Sequence, residues 1–287
     1  MDVSVIIPCF NVEATLGEQL EALAGQVTDR EFEVLVVDNR STDGTVAVAE
    51  SFSDRVSNLR VVPAYEGQGL CIARNAGAAA STGRSVLLCD GDDIVAPGWV
   101  DAMAAALDDH ALVTGPHELE RLNEPWLVES RGGGDRTVEP PRFQGTFAYA
   151  RGANLGVQRW LFDAVGGFDP ETTGQDDVEF AMRCLVDHGV TPIGVPGAVV
   201  HYRYRTEPRD LYRQGRTYGR ARPKVARLMI DRGLQRPPRF AGWKSWVRLA
   251  ITLPGLRTRE GRALWMWSAG NRVGQLQGSV RERLLML

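Results

Sequence analysis

Short apolar segments with strand character alternate with helical segments along residues 3–108, and this alternation constrains the fold most. The strand segments are rich in β-branched residues, whereas apolar residues between them recur at a near-helical period. The predicted strands are residues 3–7, 33–37, 59–63 and 85–89, and the predicted helices are residues 13–25, 70–80 and 98–108. Such alternation predicts an α/β fold with a mostly parallel central sheet and helices on both faces.

The pattern changes after residue 115. Residues 116–147 hold several prolines and a glycine triplet with little periodicity, so we expect a long irregular segment there. Regular structure is predicted to resume at 148–158 and to continue with helices 159–165 and 177–187. A pair of strands near 190–203 would then close the core.

Two acidic clusters, residues 90–93 and 174–177, stand out in this framework. The first follows a strand, and ligands bind at the carboxyl ends of strands in open α/β sheets. Asp-Gly pairs are common in solvated turns, but carboxylates this crowded need a cation or hydrogen bonds to offset their charge. An Asp-x-Asp set can hold a divalent cation, so the first cluster predicts a metal site. In the second cluster, Asp176 and Asp177 suit a helix cap, a general base, or one of each.

Charge is distributed unevenly, although the formal net charge is only −3. Residues 201–287 carry 20 lysines and arginines against 5 aspartates and glutamates, whereas the preceding residues carry 13 against 31. We therefore predict an acidic body, residues 1–205, and a helical, basic, tryptophan-rich extension, residues 206–287. Because arginine far outnumbers lysine, the composition is also associated with a bacterial source of high GC content.

The extension allows three interpretations. Tryptophans interleaved with arginines after residue 243 suit peripheral contact with an anionic membrane surface. Packing against the acidic body or a partner subunit would also use them, whereas nucleic acid is disfavoured because no recognised binding module accompanies the charge. No apolar stretch reaches the length of a membrane span, and no signal peptide is evident, so we expect a cytoplasmic protein. Its four cysteines lack metal-ligand spacing and are expected to be buried free thiols.

Three further residues are candidates on chemical grounds. Phe10 and Asn39 follow neighbouring strands, where they could stack on a nucleobase and bind its polar edge, although such residues are also common in turns. His201 follows the apolar residues 197–200; a lone histidine is usually structural, but a nitrogen ligand would suit Mn²⁺ as well as Mg²⁺.

With these residues in view, the chain resembles glycosyltransferase family 2, the inverting family with the nucleotide-diphospho-sugar transferase (GT-A) fold. The resemblance covers roughly residues 3–205 and keeps both order and spacing. The matching stretches are residues 4–11, 36–45, 73–77, 88–93, 152–154, 166–169 and 175–180. It implies a nucleotide-binding half at about 1–115 and an acceptor half at about 116–205.

The resemblance also implies roles for individual residues. Those expected to bind the nucleotide of a sugar donor are Pro8, Phe10, Glu13, Asn39, Arg74 and Asp90. Asp92 would bind Mg²⁺ or Mn²⁺, with His201 completing the metal site as in some members. Asp177 would be the catalytic base, Asp176 would orient the acceptor, and Gly152 and Asn154 would line the sugar or acceptor pocket. Two residues depart from the family pattern: Asn39 stands where many members have Asp, and Asp176 where Glu is common.

The implied activity is inverting transfer of a sugar from a nucleotide-diphospho-sugar to an acceptor hydroxyl. Cell-envelope polysaccharide, glycolipid or secondary-metabolite glycosylation is the expected setting, with an acceptor that can be lipid-linked. A non-catalytic sugar-nucleotide-binding protein is the alternative, but it would not need both Asp92 and Asp177. A sugar-phosphate nucleotidyltransferase would carry a glycine-rich loop after the first strand, and a dinucleotide oxidoreductase a G-x-G-x-x-G motif; both are missing.

Overall fold

The computed structural model describes residues 1–56, 58–131, 137–235 and 243–286. In chain order, its first elements are β1 (Val3–Cys9), α1 (Glu13–Ala24), β2 (Phe32–Asp38), α2 (Thr45–Glu50), β3 (Leu59–Pro63), α3 (Leu70–Ala80), β4 (Ser85–Cys89), β5 (Ile94–Val95), α4 (Trp99–Asp109), β6 (Leu112–Thr114) and β7 (His117–Glu118). The next are α5 (Pro125–Ser130), β8 (Arg142–Phe143), β9 (Phe147–Ala148), β10 (Asn154–Gln158), α6 (Arg159–Val165), α7 (Asp176–His188), β11 (Ile193–Gly194), β12 (Val200–His201), α8 (Pro208–Asp231), α9 (Trp243–Ile251) and α10 (Arg259–Arg281).

Among the described residues, the central sheet has seven strands in the order β11-β6-β10-β4-β1-β2-β3. The strands β4, β1, β2 and β3 are mutually parallel, and β10 runs antiparallel to both its neighbours. This arrangement confirms the predicted mostly parallel α/β sheet. Because β1, β2 and β4 point the same way, their carboxyl ends, and the polar residues that follow them, meet at one edge.

Helices cover both faces of this sheet, so its inner strands are buried on both sides. In β1, Val5 and Ile7 pack in a core with α1 and α4, whereas Ile6 packs with α3 on the opposite face. Burial on both faces explains why these strands are continuous apolar runs rather than alternating ones. The four cysteines are buried and free, as predicted.

Two predictions for the second half of the body are wrong. The segment 116–147 is not wholly irregular, because its described part contains β7, α5 and β8. The strands near 190–203 do not pair with each other: β11 joins β6 in the central sheet, and β12 joins β5 and β7 in a separate small sheet. Each of these strands has only two residues, too few to leave a period in the sequence.

The C-terminal region is helical, as predicted, and its first helix packs on the body. Val225 and Met229 of α8 share an apolar cluster with Val178 and Met182 of α7. Helix α10 lies so close to α8 that a Cβ atom at Gly219 would be 2.0 Å from the carbonyl oxygen of Asn271. Within the described ranges, no helix combines the length and apolar character needed to cross a bilayer.

Candidate active site

A cavity of about 520 Å³ opens at the carboxyl ends of β1, β2 and β4. The sheet side contributes Pro8, Phe10, Asn39, Asp90 and Asp92, which were all predicted from the sequence to lie at a ligand site. Further lining residues come from the chain after β12 and from α8. Strand ends and a helix of the basic extension therefore enclose one space.

Three carboxylates, from Asp90, Asp92 and Asp93, place one oxygen each within 4.8 Å of one another. Burial, together with the charges of its two neighbours, raises the pKa of Asp93 well above its usual value. Burial and the charge of Asp90 raise the pKa of Asp92 to about 6. One oxygen of Asp93 accepts a hydrogen bond from the amide of Arg203 at 2.7 Å, but the other, Oδ2, is buried without a partner.

The donor chemistry of this group fits a divalent metal ion. A buried, unpartnered carboxylate oxygen beside two further carboxylates is a costly arrangement that a cation relieves. An all-oxygen donor set is the kind that Mg²⁺ and Mn²⁺ prefer. Asp93 was not among the predicted ligands, although its place in the Asp-Gly-Asp-Asp run was the available signal.

His201 lies outside this carboxylate group. Its β12 register places it beside Ile94 and Glu118, and its Nδ1 is 2.5 Å from Oε2 of Glu118. Burial raises the pKa of Glu118, but hydrogen bonds from His201 and from main-chain amides lower it by more. The pKa of Glu118 is therefore below its usual value. A carboxylate on one ring nitrogen commonly orients a metal-binding histidine, so the role of His201 as a ligand stays a prediction.

Asp177 is half-buried at the start of α7. Its Oδ1 accepts a hydrogen bond from the amide of Val178 at 2.8 Å, and its Oδ2 accepts one from the amide of Gly152 at 3.1 Å. Burial and the neighbouring charge of Asp176 raise the pKa of Asp177 to about 6. A carboxylate with this pKa is ionised near neutral pH, yet it is a stronger base than an exposed aspartate.

Arg74 connects the two acidic clusters. Its side chain is 3% exposed, and its Nη1 is 2.6 Å from Oδ2 of Asp176. Its Nη2 donates to the carbonyl of Gly152 at 2.9 Å and lies 3.4 Å from Oδ1 of Asp90. The guanidinium is thus engaged inside the protein beside the cavity, and it joins the β4 loop to the start of α7.

Gly152 and Asp176 are also part of this buried connection. Gly152 uses its amide for Asp177 and its carbonyl for Arg74, and a Cβ atom there would lie 2.9 Å from Nη1 of Arg74. Asp176 accepts a hydrogen bond from the amide of Gly174 at 3.0 Å with the oxygen that does not contact Arg74. Both residues therefore fix the positions of Arg74 and of the start of α7 through buried hydrogen bonds.

The remaining predicted residues make main-chain contacts. Asn39 donates to the carbonyls of Ala64 and Gly67 at 2.5 and 2.8 Å and accepts from the amide of Gly69 at 2.7 Å, so its amide orders the loop after β3. Glu13 accepts a hydrogen bond from the amide of Gly44 at 2.9 Å. Contact of Asn39 and Glu13 with a nucleotide stays a prediction.

Asn154 is fully buried, and its side chain is entirely occupied within the protein. It accepts a hydrogen bond from the indole of Trp99 at 2.9 Å and donates to the carbonyls of Ala198 and Pro116 at 2.8 and 3.1 Å. The geometry supports a structural role for this side chain, which ties β10 to α4 and to the segment before β12.

Several cavity residues were not predicted. The chain after β12 and helix α8 contribute Arg203, Arg205, Arg213 and Tyr218 to the cavity lining. Burial and the charge of Asp177 raise the pKa of the Tyr218 hydroxyl to about 12, so it keeps its proton. Alternation of aromatic and basic residues over 202–205 was a usable signal. Arg213 and Tyr218 could not be found because α8 was assigned to a separate extension.

Comparison with known sequences identifies the family. The model of glycosyl transferase family 2 matches residues 4–151, just over half of the chain. The chain therefore belongs to this family and is a glycosyltransferase, as the resemblance implied. The glycosyltransferase AglE of Haloferax volcanii is 39% identical over 184 residues, which are 63% of this chain and only 60% of AglE. The uncharacterized glycosyltransferase YwdF of Bacillus subtilis is 26% identical over 274 residues, 93% of this chain and 96% of YwdF.

Solved structures share the fold. The mannosyltransferase PcManGT from Pyrobaculum calidifontis, determined in complex with GDP-Man and Mn²⁺, superposes with a TM-score of 0.61. The superposition covers 96% of this chain and 86% of PcManGT at 19% sequence identity. At this identity the likeness establishes the GT-A-like fold alone.

Proposed function

We propose that the chain is a metal-dependent, inverting glycosyltransferase that uses a nucleotide-diphospho-sugar donor and a hydroxyl acceptor. One observation carries the proposal: buried Arg74 contacts both Asp90, in the carboxylate group suited to a metal, and Asp176, which directly precedes the base-like carboxylate Asp177. Catalysis of this type needs both functions in one site. A protein that only binds a sugar nucleotide has no need of the base.

The proposed reaction is a single displacement. The carboxylate of Asp177 removes the proton of the acceptor hydroxyl, whose oxygen forms a bond to the anomeric carbon of the sugar. The bond between that carbon and the diphosphate oxygen breaks at the same time, and its electron pair leaves with the nucleoside diphosphate. Attack from the face opposite the diphosphate inverts the anomeric configuration. Asp176, held by Arg74, fixes the start of α7 and so the position of Asp177.

Asp90, Asp92 and Asp93 are the residues proposed to hold the metal ion, with His201 as a further candidate. A bound Mg²⁺ or Mn²⁺ would stabilise negative charge on the diphosphate, and PcManGT, which shares the fold, was determined with Mn²⁺. The guanidinium groups of Arg205 and Arg213 supply positive charge to the lining of the same cavity. They are suited to bind phosphate oxygens of the donor.

Donor and acceptor are proposed only by class. Pro8 and the exposed ring of Phe10 line the end of the cavity at β1 and would contact the nucleobase. For the acceptor and the location, we propose a hydroxyl on a lipid-linked molecule at a membrane surface. The support is the excess of cations in residues 201–287.

Calorimetric titration with UDP, dTDP and GDP, each with Mn²⁺, Mg²⁺ or EDTA, tests the donor site. We expect one nucleotide to bind in the presence of metal, and we expect the Asp92→Ala variant to lose at least about tenfold in affinity because a metal ligand is removed. Asp101→Ala, which removes an exposed carboxylate of α4, is the matched control and should bind normally. Binding that is equally tight in EDTA and in Asp92→Ala would refute the metal site.

The pH dependence of transfer tests the base. Since the pKa of Asp177 is raised to about 6, the group carries a proton below that pH and cannot accept another. We expect kcat to fall about tenfold per pH unit below pH 6 and to be constant above it. The measurement uses saturating donor and metal ion, which removes the titration of Asp92 from the profile. A profile that stays flat well below pH 6 would exclude Asp177 as the base.

A further inference from the structure

Helix α9 presents an apolar face to solvent, which we call the α9 face: Trp243, Val247, Ala250 and Ile251. These positions are spaced by three and four residues, so they lie on one side of the helix. Trp243 is 54% exposed, Val247 45% and Ile251 71%, and no residue of α9 is buried. A surface helix normally turns such a face toward the core, so this face is available for a partner.

The other side of α9 is the one that contacts the protein. Trp246 and Leu249 are half-buried, and the indole of Trp265 on α10 donates a hydrogen bond to the carbonyl of Leu249 at 3.1 Å. Helix α10 in turn packs along α8, which lines the active-site cavity. The α9 face therefore points to solvent, and α9 is connected to the cavity through α10 and α8.

Positive charge borders the α9 face. Lys244 and Arg248 follow it on the adjacent side of the helix, and the segment from Trp243 to Arg259 contains four cations and no acidic residue. Among the described residues, Lys244, Arg248 and Arg257 have no ion-pair partner, whereas Arg259 contacts Glu124. An exposed apolar face bordered by cations that lack an ion-pair partner among the described residues is complementary to an anionic lipid bilayer, which has apolar acyl chains inside and anionic headgroups at its surface.

We propose that α9 lies in the interface of an anionic lipid bilayer, with the α9 face toward the acyl chains and Lys244 and Arg248 toward the lipid headgroups. The helix has 9 residues, too few to span, so it attaches the protein to one surface. A second copy of the chain is a poorer occupant, because a symmetric dimer through this face would bring like charges together. The assignment rests on the membrane location proposed above and identifies the element that makes the contact.

Vesicle co-sedimentation tests the assignment on the full-length protein. We expect binding to vesicles of phosphatidylcholine mixed with phosphatidylglycerol, and at least about tenfold weaker binding to phosphatidylcholine alone. Ile251→Glu should weaken binding to the mixed vesicles at least about tenfold, and Lys244→Gln with Arg248→Gln should remove most of the preference for anionic lipid. Val27→Glu, which alters an equally exposed apolar residue of the body, is the matched control and should leave binding unchanged.

A fluorophore reports the depth of contact directly. The four native cysteines are buried, so a nitrobenzoxadiazole group can be attached selectively to Ile251→Cys or to Val27→Cys. We expect vesicles to raise the emission of the label at 251 and to leave that at 27 unchanged. Equal signals at both positions, or loss of a dimer in Ile251→Glu without any vesicle binding, would overturn the proposal.

Nucleotide titration of the same variants separates this inference from the proposed activity. Ile251→Glu should bind the donor nucleotide like the wild type, because α9 does not line the cavity. If wild type binds vesicles through α9 but binds no nucleotide, the membrane contact stands and the transferase proposal fails. If nucleotide binds and vesicles do not, the transferase proposal stands and the α9 assignment fails.

Discussion

Replacing Asp177 with asparagine is expected to lower kcat by about 10³-fold while changing donor affinity by no more than a few-fold. Proton removal by a positioned base contributes roughly 10²–10⁴-fold in enzymes, and an amide cannot accept the proton. Asparagine keeps the shape of the side chain and can still accept one of the two hydrogen bonds from Gly152 and Val178. The effect should therefore appear in the chemical step rather than in folding.

The measurement is release of nucleoside diphosphate at saturating donor and acceptor, with calorimetric donor binding on the same preparation. Asp187→Asn is the matched control, because Asp187 lies on the same helix and pairs with Arg232 at the surface. It should keep the kcat of the wild type. If Asp177→Asn loses donor binding, or keeps its kcat, Asp177 is not the base. The residual activity of the variant should also no longer fall below pH 6.

The framework of the fold was predictable because its signal is local. The strands β1, β2 and β4 are continuous apolar runs, since they are buried on both faces, and their order with the helices implies a parallel sheet. The reversed direction of β10 was not predictable, because it depends on pairing with β4 and β6 rather than on its own residues. The two-residue strands β7 and β12 likewise form only through their partners.

The site residues were predictable where reactive or metal-binding side chains directly follow the end of a strand. Asp90 and Asp92 were found because a parallel sheet gathers such residues at one edge, whatever lies elsewhere in the chain. The contacts of Arg74 were not, since it reaches Asp90 over 16 residues and Asp176 over 102. The hydrogen-bond partners of the Asn39 and Asn154 side chains were not predictable for the same reason. The sequence shows that an amide group is present, but not which groups it binds in the fold.

The basic extension shows how domain boundaries affect function. A division at residue 205 followed the change in charge, yet α8 supplies Arg213 and Tyr218 to the cavity. Helix α8 packs on α7, whose first residues include the proposed base. The cavity lining thus combines carboxylates of the acidic body with arginines from the basic end of the chain. The uneven distribution of charge along the sequence therefore reflects, in part, opposite charges that meet in one site.

Replacing Arg74 with methionine is expected to lower the free energy of unfolding by about 3–5 kcal/mol, the cost typical of removing one partner from a buried ion pair. Methionine fills most of the space, but it leaves the buried carboxylate of Asp176 and the carbonyl of Gly152 without their donor. Urea unfolding followed by circular dichroism measures the change. Arg84→Met is the matched control, because the Arg84–Asp2 pair is exposed to solvent and its loss should change stability far less.

The double variant with Asp176→Asn separates the ion pair from packing. If the pair is responsible, removing the charge of Asp176 should recover part of the stability lost in Arg74→Met, because no buried carboxylate remains unpaired. Arg74→Lys should fold more stably than Arg74→Met, yet a single ammonium cannot reach Asp176, Gly152 and Asp90 in the planar arrangement of a guanidinium. We therefore expect Arg74→Lys to lose less stability than Arg74→Met but a similar part of kcat, whereas a purely structural arginine would show parallel losses in both.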